Sequence, residues 1–207
     1  MQAVVPARRF PLPVVLLGGL VGGLAWGAFA RAWMRFISTD PEFTWSGTLF
    51  IVGGFGVAGL TQSVAYLGRR AEIQRRWLTP LRAIGVIGLF PLGLAAGGPL
   101  FPTILVTPLV LSDRGWPRWV RAVAVVVAAA PMVLIGGTLF AELGVGRAVM
   151  GAAWMVVIYA GIVWAAGFSL APQRDGWVPP RAARLLGVVG LVLSVLFLVV
   201  IVVGFGP

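Results

Sequence analysis

The sequence predicts an all-α, polytopic transmembrane helix bundle of about seven membrane segments, forming a single integral membrane domain over residues 1–207. Three observations predict it. Hydrophobic residues make up 59% of the chain and charged residues only 11%, against about 25% charged in soluble domains. The apolar residues fall in stretches of bilayer-crossing length, separated by short arginine-bearing segments. The arginines also divide unequally between alternate connections, as they do in inserted bundles.

Taken in order, the apolar segments cover residues 12–30, 47–68, 80–97, 99–111, 118–141, 147–170 and 184–203. A hydrocarbon core of about 30 Å needs about 20 helical residues. Five segments reach that length. Residues 80–111 read as a short, broken hairpin, interrupted at Gly97-Gly98-Pro99. Arg8-Arg9, the following apolar run and Ala28-Phe29-Ala30 also resemble a cleavable signal peptide. The reading adopted is a retained first span.

Arginine placement decides the count. With the N-terminus inside and seven crossings, thirteen arginines (8, 9, 69, 70, 75, 76, 82, 114, 118, 121, 174, 181 and 184) fall inside and three (31, 35 and 147) outside. Merging residues 80–111 into one crossing makes the split eight against eight. The positive-inside rule therefore favours the hairpin. All sixteen basic residues are arginine, which with abundant Ala, Gly and Val suggests a bacterial source. The expected location is a bacterial plasma (inner) membrane, with the N-terminus cytoplasmic.

Helix punctuation supplies further expectations. Thr79-Pro80 reads as an N-cap followed by proline at the first helical position, and Pro117 starts the fifth segment in the same way. Pro91 and Pro108 should kink their segments. Thr39-Asp40-Pro41-Glu42 reads as the start of the second helix, with Thr39 and Glu42 as a capping box or Asp40 as the cap. Trp33 and Trp45 should mark the outer interface, and Trp77, Trp116, Trp119 and Trp177 the inner one.

Absent residue types narrow the chemistry. The chain has no Cys, His or Lys. Disulfides, Cys or His metal sites, histidine-ligated haem, histidine-activated nucleophiles and lysine Schiff bases are excluded. No cofactor, metal or nucleic acid is expected, and no catalytic set is recognisable.

The remaining candidates are few. Gly18 and Gly22, the series Gly19, Gly23 and Gly27, and the set Gly187, Gly190 and Ser194 are small-residue seams for helix packing. Arg69, Arg70, Arg75, Arg76 and Arg82 form a basic cluster, a topology determinant that could also hold anionic headgroups on the cytoplasmic face. Arg31, Arg35, Asp40 and Glu42 lie in the first outer connection, and Glu142 and Arg147 flank another, close enough to pair. Asp40 and Glu42 are the weak catalytic candidates, and Arg31, Arg35 and Glu142 could contact a ligand. Gln62, between Thr61 and Ser63, is costly in lipid and should face protein or a ligand.

Three functional readings follow. The leading one is a non-catalytic packing or assembly partner, joined to another membrane protein or to itself through the glycine seams. The second is a small transporter or permeation protein using Gln62 and the Gly/Pro-broken segment 89–102. The third is an enzyme on a lipid-linked substrate, using Asp40 and Glu42 at the outer face. A filled bundle, a polar mid-membrane cavity and an outer cleft beside Asp40 would respectively mark the three. The topology has its own test: in a chain without native cysteine, Glu72→Cys should label only after cells are permeabilised. Labelling from outside intact cells would reverse the orientation.

Overall fold

The computed structural model describes residues 11–40, 43–70, 75–95, 104, 106 and 117–170. Among these the chain is all-helical: α1 (Leu12–Ile37), α2 (Trp45–Arg70), α3 (Arg75–Ile87), α4 (Phe90–Ala95), α5 (Arg118–Glu142) and α6 (Val145–Leu170). Five stretches are long and apolar enough to cross a bilayer, α3 and α4 together forming one of them, Trp77–Leu94. The protein is therefore a multi-pass membrane protein. The count of about seven segments is not supported. The segment at 184–203, with Gly187, Gly190 and Ser194, lies outside the described residues, as does most of 99–111 with Pro108.

The spans are longer at their ends than the apolar runs suggest. At 1.5 Å per residue, the 26 residues of α1 extend about 39 Å, more than the hydrocarbon thickness, so the helix must tilt or project. Its start is set by Pro11 at the N-cap, with no side-chain capping bond.

The second helix begins later than expected. Thr39 and Asp40 form a bend, and the first helical bond of α2 runs from Thr48 N–H to Thr44 C=O at 3.0 Å. Thr48 Oγ1 donates to the same carbonyl at 2.9 Å. Asp40 is thus not a cap, and Glu42 lies outside the described residues. The connection is held by aromatics instead: Phe43 meets the Trp45 ring edge-on at 5.0 Å, and the Arg35 guanidinium sits 5.3 Å above Phe43.

The expected start of the third segment at Thr79-Pro80 is also corrected. α3 begins at Arg75, and Pro80 lies inside it. A proline there deletes one bond, to the carbonyl four residues back. The helix breaks at Gly88 and Leu89, three residues before the kink position itself ends its turn, because Pro91 has no N–H for the Ile87 carbonyl. Gly88 N–H bonds Ile84 C=O at 2.9 Å, Leu89 N–H closes tighter on Val86 C=O at 3.1 Å, and Gly93 N–H on Leu89 C=O at 2.9 Å restarts the helix as α4. The break expected at Gly97–Pro99 lies outside the described residues. Pro117 takes the N-cap of α5, one position earlier than expected, and Pro131 lies inside that helix.

α1 and α2 pack antiparallel with their backbones almost touching. A Cβ added to Gly19 would lie 2.6 Å from the Gly59 carbonyl oxygen, and one on Gly27 would lie 2.9 Å from Val52 Cα. One on Gly23 would overlap the Phe55 carbonyl oxygen. The series Gly19, Gly23 and Gly27 is therefore the seam, used within the chain. Gly18 and Gly22 have nothing within 4 Å.

α6 packs across this pair and is tied to α1 by indole donors. Trp33 Nε1 donates to Gly151 C=O at 2.7 Å, and Trp26 Nε1 to Ile158 C=O at 3.1 Å. Trp33 is buried at 5% exposure, so it is a packing residue and not the expected interfacial anchor. Trp45, Trp77 and Trp119 are exposed, while Trp116 and Trp177 lie outside the described residues. α5 folds back on α6 after Leu143 and Gly144, with Leu139, Leu143 and Ala148 in one buried cluster. The helix directions place Arg75 and Arg118, the first residues of α3 and α5, at the same end of the bundle as Arg69. Arg147 lies at the other end.

The two glycine faces separate in a mutational test. Gly23→Ala should lower the thermal midpoint in detergent, with a cost of about 1–3 kcal/mol from overpacking, whereas Gly18→Ala should leave it unchanged. Equal effects at both positions would contradict the seam.

Candidate functional site

Among the described residues the bundle is not filled. In the half nearer Arg69, α1, α2, α4 and α6 enclose a cavity of about 540 Å³, within the range of about 300–1,000 Å³ typical of small-molecule sites. It exists because three elements recede at one level. Gly18, Gly19, Gly22 and Gly23 present only backbone from α1, the break before α4 sets Leu89 and Leu92 at its back, and Gly161 makes room for the Trp26 indole. Aromatic rings form the α6 side. Phe168 meets Trp164 edge-on at 4.9 Å and Tyr66 of α2 at 5.1 Å. Gly18, Gly22 and Trp164 are exposed, so the cavity opens sideways between α1 and α6.

No charged side chain lines it among the described residues. Its polar groups are mostly committed. Trp26 N–H is given to Ile158, as above. Ser63 Oγ donates to Gly59 C=O at 3.0 Å. Gln62 is 3% exposed, and its Nε2 donates to Gly85 C=O at 2.7 Å, joining α2 to α3. Because a carbonyl only accepts, this bond fixes which end of the amide is nitrogen. The other end, Oε1, is buried with no hydrogen-bond partner. Gln62 thus faces protein, as its cost in lipid demands, and it also forms part of the cavity wall.

Among the described residues, the candidates of the first and last connections do not assemble. Arg31 Nε donates to Thr48 Oγ1 at 3.3 Å, Arg35 lies over Phe43, and Asp40 and Glu142 are exposed. Among the described residues no group of three or more acidic residues could hold a metal. Nor do Glu142 and Arg147 pair as expected. Arg147 reaches back to α1, with Nε donating to Phe36 C=O at 2.9 Å and a terminal nitrogen to Ser38 C=O at 3.0 Å. These carbonyls are left open by the end of α1, and a cation there also meets the negative end of the helix dipole.

The basic cluster divides. Arg69 donates to Gly167 C=O at 3.0 Å, tying α2 to α6. Arg82 is 4% exposed and so is turned into the bundle. Arg70, Arg75 and Arg76 lie at the same end, on the ends of α2 and α3.

Sequence reasoning singled out Gln62 but missed Trp26, Tyr66, Trp164 and Phe168 as neighbours of it. Their only signal is aromatic placement inside spans, away from the interface where such residues usually collect.

The capping role of Arg147 gives a direct expectation. Arg147→Ala should destabilise by about 1 kcal/mol, the scale of an exposed charge-assisted cap, while Glu142→Gln should stay within about 0.5 kcal/mol of wild type. Equal losses in a denaturant titration would restore the Glu142–Arg147 pair. No protein-family model, curated protein or solved structure matches the chain.

Proposed function

We propose that this membrane protein binds an apolar, membrane-soluble molecule in the cavity between α1, α2, α4 and α6, acting as a carrier or holder and not as a catalyst. The observation that carries this reading is the laterally open cavity of about 540 Å³, with no charged side chain among its described lining residues. An apolar recess of that size, open to the bilayer, takes up hydrocarbon, because wall atoms left without partners forfeit their packing contacts.

The alternatives fit the geometry less well. The assembly reading rests on the glycine seams: Gly19, Gly23 and Gly27 are consumed inside the chain, Gly18 and Gly22 border the cavity, and Gly187, Gly190 and Ser194 lie outside the described residues. The transport reading is nearer, since Gln62 and the break at Leu89 border one space, but a lining without charge suits an apolar solute and not an ion. An enzyme at the outer face would need Asp40 beside a cleft, and the cavity lies in the opposite half. With Arg69 at the cytoplasmic side, the cavity would open to the inner leaflet. Arg70, Arg75 and Arg76 would then meet anionic headgroups beside it, at about 1 kcal/mol per basic residue.

Gly22→Leu provides the test, because Gly22 lines the cavity and a Cβ there meets nothing within 4 Å. In vesicles containing a long-chain alkyl diazirine, irradiation should attach label to α1 and α6 residues around the cavity. Gly22→Leu should reduce that labelling several-fold with no loss of thermal midpoint. Unchanged labelling, or labelling confined to the outer faces of the bundle, would sink the proposal.

A further inference from the structure

We infer that the cavity selects a neutral lipid-like molecule bearing one hydrogen-bond donor, a hydroxyl on an apolar body, and that Gln62 Oε1 is the group that reads it. The inference rests on the binding role proposed above and names the chemistry of its ligand.

The argument is an inventory of what the wall offers. A ligand entering this space leaves water and lipid headgroups behind, so each polar atom it carries must find a partner there. Gln62 Oε1 is buried and accepts nothing. An amide oxygen in that state forfeits a bond whose loss carries a large penalty in an apolar medium. In the structure this oxygen is closed off; the terminal torsion of a glutamine is broad, and a tilt that stretches the 2.7 Å bond to Gly85 would present it to the lumen. Ser63, one residue on, has given its proton to Gly59 and retains only acceptor capacity. The Trp26 indole N–H is likewise occupied by Ile158.

At Gln62, Ser63 and Trp26 the wall therefore offers acceptors, its donors there being committed, while the Tyr66 hydroxyl and the Trp164 indole lie on the aromatic side. A ligand with a hydroxyl completes Gln62. The corresponding ether or ester brings another acceptor to Gln62 Oε1 and gains nothing there. A carboxylate or phosphate would arrive with charge where no cation lines the wall. The aromatic side made by Trp164, Phe168 and Tyr66 and the glycine floor of α1 suit a flat or slender hydrocarbon body. Sites that hydrogen-bond one ligand hydroxyl reject analogues lacking it far more strongly than an apolar pocket rejects a methylene.

Competition separates this inference from the binding role itself. A long-chain primary alcohol and its methyl ether, alike in hydrocarbon, would each compete with the alkyl diazirine for the wild-type protein in vesicles. The alcohol should compete about ten-fold better, the scale of one acceptor satisfied. In Gln62→Met, which conserves volume and removes the acceptor, the two should compete equally, with the ether as strong as before. The wild-type comparison stands even if that variant fails to fold. Equal competition by alcohol and ether in the wild type would overturn the inference while leaving an apolar site in place. An alcohol preference that survives in a folded Gln62→Met would assign the selectivity elsewhere and overturn the role of Gln62. Failure of both molecules to compete would overturn the binding role as well.

Discussion

The close approach of α1 and α2 is the constraint on which the rest of the structure depends. Gly19, Gly23 and Gly27 let the two backbones meet where any side chain would collide with a carbonyl or Cα of the facing helix. In a bilayer such contact replaces the hydrophobic drive that folds soluble proteins, because lipid is as apolar as leucine. It also fixes the rotation of α1. With one glycine row turned toward α2, Trp26 and Trp33 are aimed at α6, where their N–H groups find Ile158 and Gly151 carbonyls. The neighbouring row, Gly18 and Gly22, is left facing space. The seam and the cavity are two consequences of one helix orientation.

The ends of the bundle are closed by another recurrent device. Carbonyls at the end of α1 have no partners within their own helix and receive Arg147 from α6, while Arg69 of α2 reaches the Gly167 carbonyl of α6. Guanidinium suits the task because it stays charged and presents several donors in a plane. Arg147 and Arg69 thus act as ties between helices as well as carrying charge that bears on topology.

Much of this was legible in the sequence, for physical reasons that also explain what was not. The spans are visible because lipid demands long uninterrupted apolar runs, and α1, α2, α5 and α6 cover the runs read at 12–30, 47–68, 118–141 and 147–170. Their ends were misjudged where local capping rules were trusted. Thr39-Asp40-Pro41-Glu42 satisfies the pattern of a helix start, yet the first bond of α2 forms at Thr44, behind the Phe43–Trp45 ring contact. Thr79-Pro80 satisfies it too, yet α3 runs through. Gly18 with Gly22 and Gly19 with Gly23 have the same spacing, so periodicity marks both rows and only the partner helix distinguishes them. Gln62 was conspicuous as an amide among apolar residues. Its cavity was not, because it is assembled from receding residues on four helices that no linear pattern connects.

The central claim is that the space bounded by Gly22, Gln62, Leu92 and Phe168 holds a membrane-soluble molecule. The most direct measurement is a high-resolution structure of protein extracted into nanodiscs of its native lipid, with nothing added. The account predicts elongated non-protein density in the cavity, with one polar end within hydrogen-bonding distance of Gln62 Oε1. A cavity closed by inward movement of α6 onto Gly18 and Gly22, with no density between the helices, would contradict it.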